Sequence, residues 1–574
     1  MKEILEICVG ERVPPEYVSH KVPQGVRENA TFVIDLKNSS LSHRDLSADD
    51  NGIFSRHSSP TEKVEVKFKS DGTVETVCPD ISCEDHVYLV RRQYSWHDKS
   101  KNFSRVIYKV ENKGVLTRYA IVQYKASGDV TDLFLKSHGN SKKKDEPYYR
   151  VKPSVLLKAK EAALRSESPK HIISLIEKES GGVLNIDSPS EMLRNREQVY
   201  NVCRGLPERK RCRNTGPPRR TDFVKLMNLM QHDDFLRDVS FDKKSKKGVE
   251  HIAPRTFAAT DEQITWIKTY CPGYRPKSQI GIDMTYNVGR FYVTTLAFPH
   301  PMFVYRNKPD RHPTVLAAMM TSITKDTEDY EYLAAFLSRK GVKSLTYGTD
   351  GELALEQGFE NVYPINASSN VAGTTGNIHL RCFTHVETDI KAKLAKTNVS
   401  SCEQKKVCSQ ILGTEKDGIR IRGLVDCENN EAFDSMLLRL RPAWPAGFSQ
   451  WLDTQRGRLR PLSATLKHCM MKPVRVSAGL GNPPNKWHNQ RTEAMHNVLK
   501  EEAHGEIIDQ ARIHEIVNER IVQQQKSEFV KALRGIGEYR LALDYSNLAI
   551  DPVRWAQMTP QQRSAYVKKA IGFS

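Results

Sequence analysis

Three acidic residues of this chain stand where a carboxylate is costly to bury. Asp283 and Asp350 each close an apolar run that reads as a short buried strand, and Glu493 opens a helical stretch. Burying a carboxylate costs free energy unless it is paired or bound to a metal. Two Asp and one Glu brought together by folding can hold two Mg²⁺ (or Mn²⁺) ions for cutting phosphodiester bonds. The three residues therefore form a candidate catalytic and metal-binding site.

Each of these residues also has a plainer interpretation. An Asp after a strand is often a turn or cap residue, and a Glu in a first helical turn ordinarily complements the helix dipole. Their order along the chain is what favours a shared site. Glu352 and Glu356 lie near Asp350, and Glu502 on the Glu493 helix is a weaker candidate for the third acid.

A second pattern concerns zinc. Cys382 and His385 form a C-x2-H pair, which has the residue types of half a zinc site. The other half would come from Cys402 and Cys408, whose spacing is loose. The alternative is a buried Cys that packs as a small hydrophobic residue beside a His that hydrogen-bonds locally. We favour this metal-free interpretation, and the 11 scattered cysteines indicate reduced thiols rather than a disulfide scaffold.

Charge indicates the class of partner. The 574 residues carry a net charge of +18, with a pI near 9.2. Basic residues gather in short runs at 142–144, 209–213, 219–220 and 243–247. Such runs bind polyanions or act as nuclear import signals, although any single run can also be a solvated surface. Together they favour a nucleic-acid partner, and no apolar run is long enough to predict a membrane span.

The elements that must position the acids divide the chain into seven parts. They are an N-terminal extension (1–60), a β-rich module (61–150), a helical domain with a basic linker (151–221), an α/β domain (222–397), a helical interruption (398–482), the final helix of the α/β domain (483–510) and a C-terminal helical region (511–574). The first part is polar, and we expect it to be loosely ordered. Residues 153–205 read as three helices, which suits a helix-turn-helix-like DNA-binding or dimerisation domain; a plain helical bundle is the alternative.

In the α/β domain we expect helices at residues 222–239 and 314–340. Strands lead into Asp283 and Asp350, and the first of them pair antiparallel. An α/β order with an antiparallel start is that of an RNase H-like sheet. The sequence thus predicts a multidomain α/β protein with an all-helical insertion in its catalytic domain.

Four stretches resemble the Mutator-like element family of transposases, within the eukaryotic DDE superfamily. They are residues 282–287, 347–355, 380–385 and 491–497, and the resemblance extends over roughly residues 222–503. It implies an RNase H-like domain in which Asp283, Asp350 and Glu493 are the metal-binding triad for Mg²⁺ or Mn²⁺. It also implies that Cys382 and His385 are the family's C-x2-H motif, followed by the helical insertion domain.

The resemblance also bears on zinc. Members with animal-type organisation often carry an N-terminal β-rich zinc module related to FLYWCH or WRKY folds. Cys78, Cys83 and His86 lie in about that region, but a complete set of two Cys and two His is not obvious. Zinc is therefore not favoured as a cofactor.

The function that the resemblance implies is cut-and-paste DNA transposition. The enzyme would bind the terminal inverted repeats of its element, cleave the ends to free 3′-OH groups, and join them to target DNA in the nucleus. Pairing two ends requires a homodimer or a larger assembly. The alternatives are a domesticated DNA-binding regulator that does not cleave, and another RNase H-like DNA nuclease.

DNA contacts are expected from basic residues and one aromatic residue. The candidates are Arg209, Lys210, Arg211, Arg213, Arg219, Arg220, Lys243, Lys244, Arg491 and Trp487, with packing as the alternative role of Trp487. Lys and Arg bind phosphates whatever the base sequence. Base-edge contacts would therefore come from ordered elements between residues 60 and 220.

Overall fold

In the computed structural model the chain divides into two units, one of residues 1–210 and 526–574 and one of residues 211–525. The structure describes every residue except 24–25, 27, 40, 48–53, 79–85, 99, 129–150, 165–168, 204–222, 247–248, 289–290, 366–375, 398, 417–418, 503–508 and 573–574. Both units mix helices and strands, as the sequence predicts. Among the described helices, none combines the length and the apolar character that crossing a membrane requires.

The first unit is built on a nine-stranded sheet. Its strands are β1 (Val18–Ser19), β2 (Ala30–Asp35), β3 (Phe54–Ser58), β4 (Thr61–Phe68), β5 (Val74–Cys78), β6 (Val87–His97), β7 (Phe103–Asn112), β8 (Val115–Leu116) and β9 (Tyr119–Ala126). The order is β1-β2-β9-β7-β6-β4-β5, with β3 beside β6 and β8 beside β7. Among the described residues of this sheet, β1 and β2 pair in parallel and the other neighbouring strands pair antiparallel. Phe103 and Tyr124 stack in the core at 5.8 Å between ring centroids.

The prediction of a loosely ordered start is wrong for the described part of residues 1–60. The helix Lys2–Cys8 packs Leu5 and Cys8 with Val66 and Val110 of the sheet. β1, β2 and β3 belong to that same sheet. Polar composition misled the prediction because each of these elements is short and contributes at most two buried apolar side chains.

The helices of the first unit include the three predicted between residues 153 and 205. The helices are Lys2–Cys8, Pro153–Leu164, Pro169–Glu179, Arg196–Cys203, Gln523–Leu533, Pro552–Gln557 and Pro560–Ile571, with 3₁₀ helices Pro15–Tyr17, Asp45–Ser47, Pro189–Glu191 and Leu543–Leu548 and a short strand Tyr539–Leu541. Val155, Ile172 and Val199 share one core among the three predicted helices. The buried Lys531 pairs with Glu177, so the C-terminal segment is an integral part of this unit. DNA binding by the three helices stays a prediction.

The second unit contains a seven-stranded sheet. The strands of this unit are β10 (Leu236–Lys246), β11 (Val249–Ala258), β12 (Ile280–Val288), β13 (Phe291–Pro299), β14 (Phe303–Tyr305), β15 (Thr314–Ser322), β16 (Thr346–Thr349) and β17 (Ile378–Arg381). The order in the sheet is β10-β11-β15-β13-β12-β16-β17. Pairing is antiparallel from β10 to β12 and parallel from β12 to β17.

Two predicted helices of this unit are partly strands. Residues 314–322 form β15, and the helix begins only at Thr327. The run of Leu, Ala and Met in β15 favours a helix, but it lies between β11 and β13 and is buried throughout. Periodicity cannot distinguish a fully buried strand from a buried helix.

The second wrong prediction is the helix expected at residues 222–239. The helix Phe223–His232 stops before β10 because the Asp233 side chain accepts a hydrogen bond from the Phe235 backbone N–H at 2.7 Å. The same Asp233 oxygen also accepts a hydrogen bond from the Asn518 side chain at 2.8 Å. A local side chain to backbone bond of this kind competes with helix continuation.

The remaining helices of the second unit flank the sheet strands in sequence or lie in the predicted helical interruption. They are Phe223–His232, Asp261–Tyr270, Thr327–Arg339, Leu353–Val362, Phe383–Ala395, Ser401–Leu412, Asn430–Leu440, Ala446–Leu452, Leu462–Thr465, Lys472–Ser477, Gln490–Glu502 and Gln510–Val517, with π-helices Leu466–Met470 and Asn518–Val522, 3₁₀ helices Leu424–Asp426 and Arg441–Ala443, and a hairpin of Thr414–Lys416 and Ile419–Ile421. The described part of residues 398–482 is mostly helical, as predicted. Its core includes Phe433, Phe448 and Leu466.

Candidate active site

The register of two parallel strands places two of the predicted acids side by side. β12 and β16 pair with Ile280 opposite Tyr347 and Gly281 opposite Gly348. Asp283 follows Gly281 by two residues, and Asp350 follows Gly348 by two. Asp283 on β12 and Asp350 directly after β16 therefore occupy equivalent positions along two neighbouring strands, which lie about 4.8 Å apart.

The third acid reaches this place because two glycines let a helix lie flat on the sheet. A Cβ at Gly281 would collide with the side chains of Thr492 and Asn489, and a Cβ at Gly348 would collide with the ring of Trp487. The helix Gln490–Glu502 contacts β12 and β13 in this way. Glu493, the residue after Thr492, is thereby brought beside Asp283.

The electrostatics of Asp283 show that these carboxylates are neighbours. Burial raises the pKa of Asp283 to about 7, and the charge of Asp350 adds to the increase, as do Glu493 and Glu352. The Met284 backbone N–H donates to Asp283 Oδ1 at 2.8 Å and opposes the increase only in part. We call Asp283, Asp350 and Glu493 the acidic edge.

The acidic edge has no direct ion-pair partner among the described Lys and Arg side chains. Within the part of the chain that the structure describes, Asp283, Asp350 and Glu493 form no ion pair with Lys or Arg. Glu352 differs, because its carboxylate accepts from Tyr330 Oη at 3.0 Å and lies 3.0 Å from Lys325 Nζ. The acidic edge thus gathers negative charge that no described Lys or Arg pairs with directly.

A histidine that sequence reasoning did not single out faces this edge. Nδ1 of His496 lies 3.6 Å from Asp283 Oδ2, and its Nε2 lies 2.9 Å from Thr295 Oγ1. Burial lowers the pKa of His496 to about 4, so the ring is neutral at pH 7. The available signal was its position three residues after Glu493, which places both on one face of a helix.

Glu356, an alternative acid from the sequence, has a different role. Arg381 Nη1 lies 2.6 Å from Glu356 Oε1, and Thr349 Oγ1 donates to the same oxygen at 3.1 Å. His379 lies 3.3 Å from Glu360, which also binds Arg460. We call Glu356, Glu360, His379, Arg381 and Arg460 the paired cluster.

The paired cluster is electrostatically balanced. Burial raises the pKa of Glu356, but Arg381 and His379 outweigh it and hold the pKa below its usual range. Its carboxylate is therefore occupied and is not a free metal ligand. Glu502, the other alternative, lies nine residues beyond Glu493 in the same helix, about 14 Å along the axis.

The C-x2-H motif supports the helix that carries Glu493. Cys382 is buried, and its Sγ accepts the Asn489 backbone N–H at 3.4 Å. The Phe383 backbone N–H donates to the Trp487 carbonyl at 3.1 Å. These contacts fix the segment directly before the helix Gln490–Glu502, which accounts for a buried Cys here without a metal.

The other candidate zinc ligands do not assemble around this motif. Cys402 is exposed, Cys408 is buried in the core of the helical interruption, and Cys78 is exposed. Cys83 lies outside the described residues, and His86 is exposed. Over the described ranges, no group of three or more His, Cys, Asp and Glu side chains is arranged to hold a metal ion by itself.

The acidic edge, too, does not form a complete metal cage by itself. The chemistry of its donors nevertheless fits Mg²⁺ or Mn²⁺. The donors are hard carboxylate oxygens, one of them from the exposed Glu493. Mg²⁺ keeps several waters and is commonly held by one or two carboxylates plus substrate phosphate, so it does not need a closed cage of protein ligands. The acidic edge would hold such an ion together with water and substrate.

The predicted DNA contacts are distributed unevenly over the structure. Arg209, Lys210, Arg211, Arg213, Arg219 and Arg220 lie outside the described residues. Lys243 and Lys244 lie on β10, and Arg491 is exposed in the first turn of the Glu493 helix. Trp487 is buried with Leu380 and Cys382, which fits its alternative role in packing, and its contact with DNA stays a prediction.

Comparison with known proteins adds no relative. No family model, curated protein or solved structure matches this chain.

Proposed function

We propose that the protein is a DNA transposase and that its second unit is an RNase H-like catalytic domain. The observation that carries the proposal is the placement of three acids: the register of β12 and β16 sets Asp283 and Asp350 at equivalent positions, and a helix packed on β12 brings Glu493 beside Asp283. Unpaired acids cost folding energy, so a site that keeps them needs an external cation. A chain of net charge +18 attracts DNA around the same site.

The arrangement of elements supports the catalytic fold. Antiparallel strands lead into parallel ones, the first acid is on β12, the second directly follows β16, and the third is on a helix packed upon β12. The described part of residues 398–482, which is mostly helical, stands between the C-x2-H motif and Glu493, where the resemblance expects an insertion domain.

The residues of the acidic edge have distinct tasks in this proposal. Mg²⁺ or Mn²⁺, when bound, would lower the pKa of a water or a 3′-OH and stabilise the leaving oxygen. Asp283 and Asp350 would supply oxygens to shared ions, and Glu493 would complete the set from the helix. Because protons and cations compete for the same Asp283 oxygens, its raised pKa predicts stronger metal binding above pH 7 than below.

The substrate and assembly follow from the same proposal. The enzyme binds double-stranded DNA at the terminal inverted repeats of its element, cuts the ends and joins their 3′-OH groups to target DNA. Joining two ends needs two catalytic domains, so it acts as a homodimer or larger assembly. Its basic runs suit nuclear import and phosphate binding.

The test is a joining assay with labelled terminal-repeat duplexes and plasmid target. We expect products with Mg²⁺ or Mn²⁺ and none in EDTA. Asp283→Asn, Asp350→Asn and Glu493→Gln should each abolish cleavage and joining while DNA binding persists, because Lys and Arg contacts carry the affinity. Glu502→Gln is the matched control on the same helix and should keep activity.

The other outcomes identify the alternatives. Specific binding by the wild type without cleavage would indicate a DNA-binding regulator. Cleavage without joining would indicate another nuclease. Full activity of Glu493→Gln would place the third acid elsewhere.

A further inference from the structure

His496 connects the strand of the first acid to the helix of the third. Asp283 and Thr295 are direct partners across the antiparallel pair of β12 and β13. The imidazole of His496 spans the two, with Nε2 2.9 Å from Thr295 Oγ1 and Nδ1 3.6 Å from Asp283 Oδ2. Only one turn of helix separates it from Glu493.

The groups that face the ring order its hydrogen bonds. A ring nitrogen that carries a proton donates, and one without a proton accepts. The Asp283 side offers acceptors only, its carboxylate and its main-chain carbonyl, whereas the Thr295 hydroxyl is free to donate. The consistent assignment has Thr295 Oγ1–H donating to Nε2 and Nδ1–H pointing at Asp283.

We propose that His496 is a positioning residue of the acidic edge, which directs the Asp283 carboxylate toward the metal ions and fixes its distance from the Glu493 helix. The inference rests on the proposed function of that edge. The 3.6 Å separation is longer than a hydrogen bond, so in this structure the ring faces the Asp283 carboxylate without bonding it. A partner of a metal-binding carboxylate typically contributes 10- to 100-fold in metal affinity.

A second histidine provides a matched control in the same unit. Nε2 of His514 lies 2.8 Å from Thr256 Oγ1, and its side chain is also buried. Its neighbours are Phe235 and Thr256, and no carboxylate is paired with it among the described residues. Both histidines therefore bond a buried threonine hydroxyl, but only His496 faces an acid.

The test is calorimetric Mn²⁺ titration of the full chain at pH 7.5, well below the unfolding temperature of each variant. His496→Leu should weaken Mn²⁺ binding about 10- to 100-fold, and His514→Leu should change it less than about twofold. His496→Asn should recover most of the affinity, because its amide N–H can replace Nδ1–H. A packing role predicts the reverse order, since Asn fills the space less well than Leu.

Three results would overturn the inference: wild-type affinity in His496→Leu, Asn no better than Leu, or an equal loss in His514→Leu. Failure of the proposed function has another signature. A wild type that binds no Mn²⁺, or an Asp283→Asn variant that binds it as well as wild type, would refute the metal site itself and the role of His496 with it.

Discussion

The acidic edge and the paired cluster show two opposite ways of keeping charge inside one unit. Thr349 and Asp350 are consecutive residues, yet Thr349 donates to Glu356 of the paired cluster and Asp350 belongs to the acidic edge. Arg381 and His379 hold the pKa of Glu356 down, whereas neighbouring acids and burial raise the pKa of Asp283 to about 7. Glu356 is the more buried of the two, so burial does not explain its lower pKa, and the difference lies in the partners.

The comparison separates a structural cluster from a candidate site. In the paired cluster each carboxylate has a cation within the protein, and Arg381 also lies against Gly351, the residue after Asp350. The paired cluster thus fixes the backbone from which the acidic edge projects. An ionisable group whose pKa is shifted by a partner within the protein stabilises the fold. A group with a shifted pKa and no such partner indicates an external ligand.

The largest expected change in stability comes from removing a positive charge from the paired cluster. Arg381→Met leaves Glu356 buried without its main cation, and we expect the second unit to lose about 3–5 kcal/mol of stability. Denaturant titration followed by tryptophan fluorescence measures the loss. Lys391→Ala is the control, since it breaks an exposed i,i+4 pair with Glu387 and should cost less than about 0.5 kcal/mol. Equal losses would mean that the paired cluster is not the structural element described.

Removing a charge from the acidic edge should instead raise the stability of the protein. Asp283→Asn removes a destabilising charge, so in EDTA at pH 8 it should raise the free energy of unfolding by about 2–4 kcal/mol. The pKa of Asp283 is raised from 3.8 to about 7, so the folded wild type keeps a proton that the unfolded chain releases. Stability therefore falls as pH rises through this window, and the gain of Asp283→Asn should shrink at pH 5.

Denaturant titrations of both proteins at pH 5 and pH 8 check this. A variant less stable than wild type at pH 8 would contradict the electrostatic account. Adding Mn²⁺ should reverse the order, because only the wild type retains the full set of ligands.

These same residues show how much of the site could be predicted from the sequence. Asp283 and Asp350 are visible as polar ends of apolar runs, and the structure brings both together with Glu493. The pairing of Gly281 with Gly348 is not visible, because it depends on which strands become neighbours. His496 is also missed, since its partners Asp283 and Thr295 come from two other elements. β15 is mistaken for a helix because burial on both faces erases the strand period.

A smaller effect is expected at the C-x2-H motif. Cys382→Ala removes the acceptor of the Asn489 N–H and a few buried atoms, at about 1–2 kcal/mol. Cys402→Ala, at an exposed position, should be neutral. Elemental analysis accompanies both, and stoichiometric zinc that disappears in Cys382→Ala would replace the metal-free account of this motif.

The smallest effect should come from the acid that already has partners. Glu352 lies near Asp283 but is paired with Lys325 and Tyr330. Glu352→Gln should therefore change Mn²⁺ affinity less than about threefold and stability by less than about 1 kcal/mol. A loss as large as that of Asp350→Asn would make Glu352 a member of the acidic edge.

The most direct test of the central claim is anomalous X-ray diffraction from crystals of the full chain soaked in Mn²⁺. The account predicts anomalous peaks within about 2.1–2.3 Å of carboxylate oxygens of Asp283 and Asp350, with Glu493 beside them. Asp283→Asn crystals should lose the shared peak. Peaks only elsewhere, or none at the acidic edge at saturating Mn²⁺, would contradict the claim that these residues hold divalent ions.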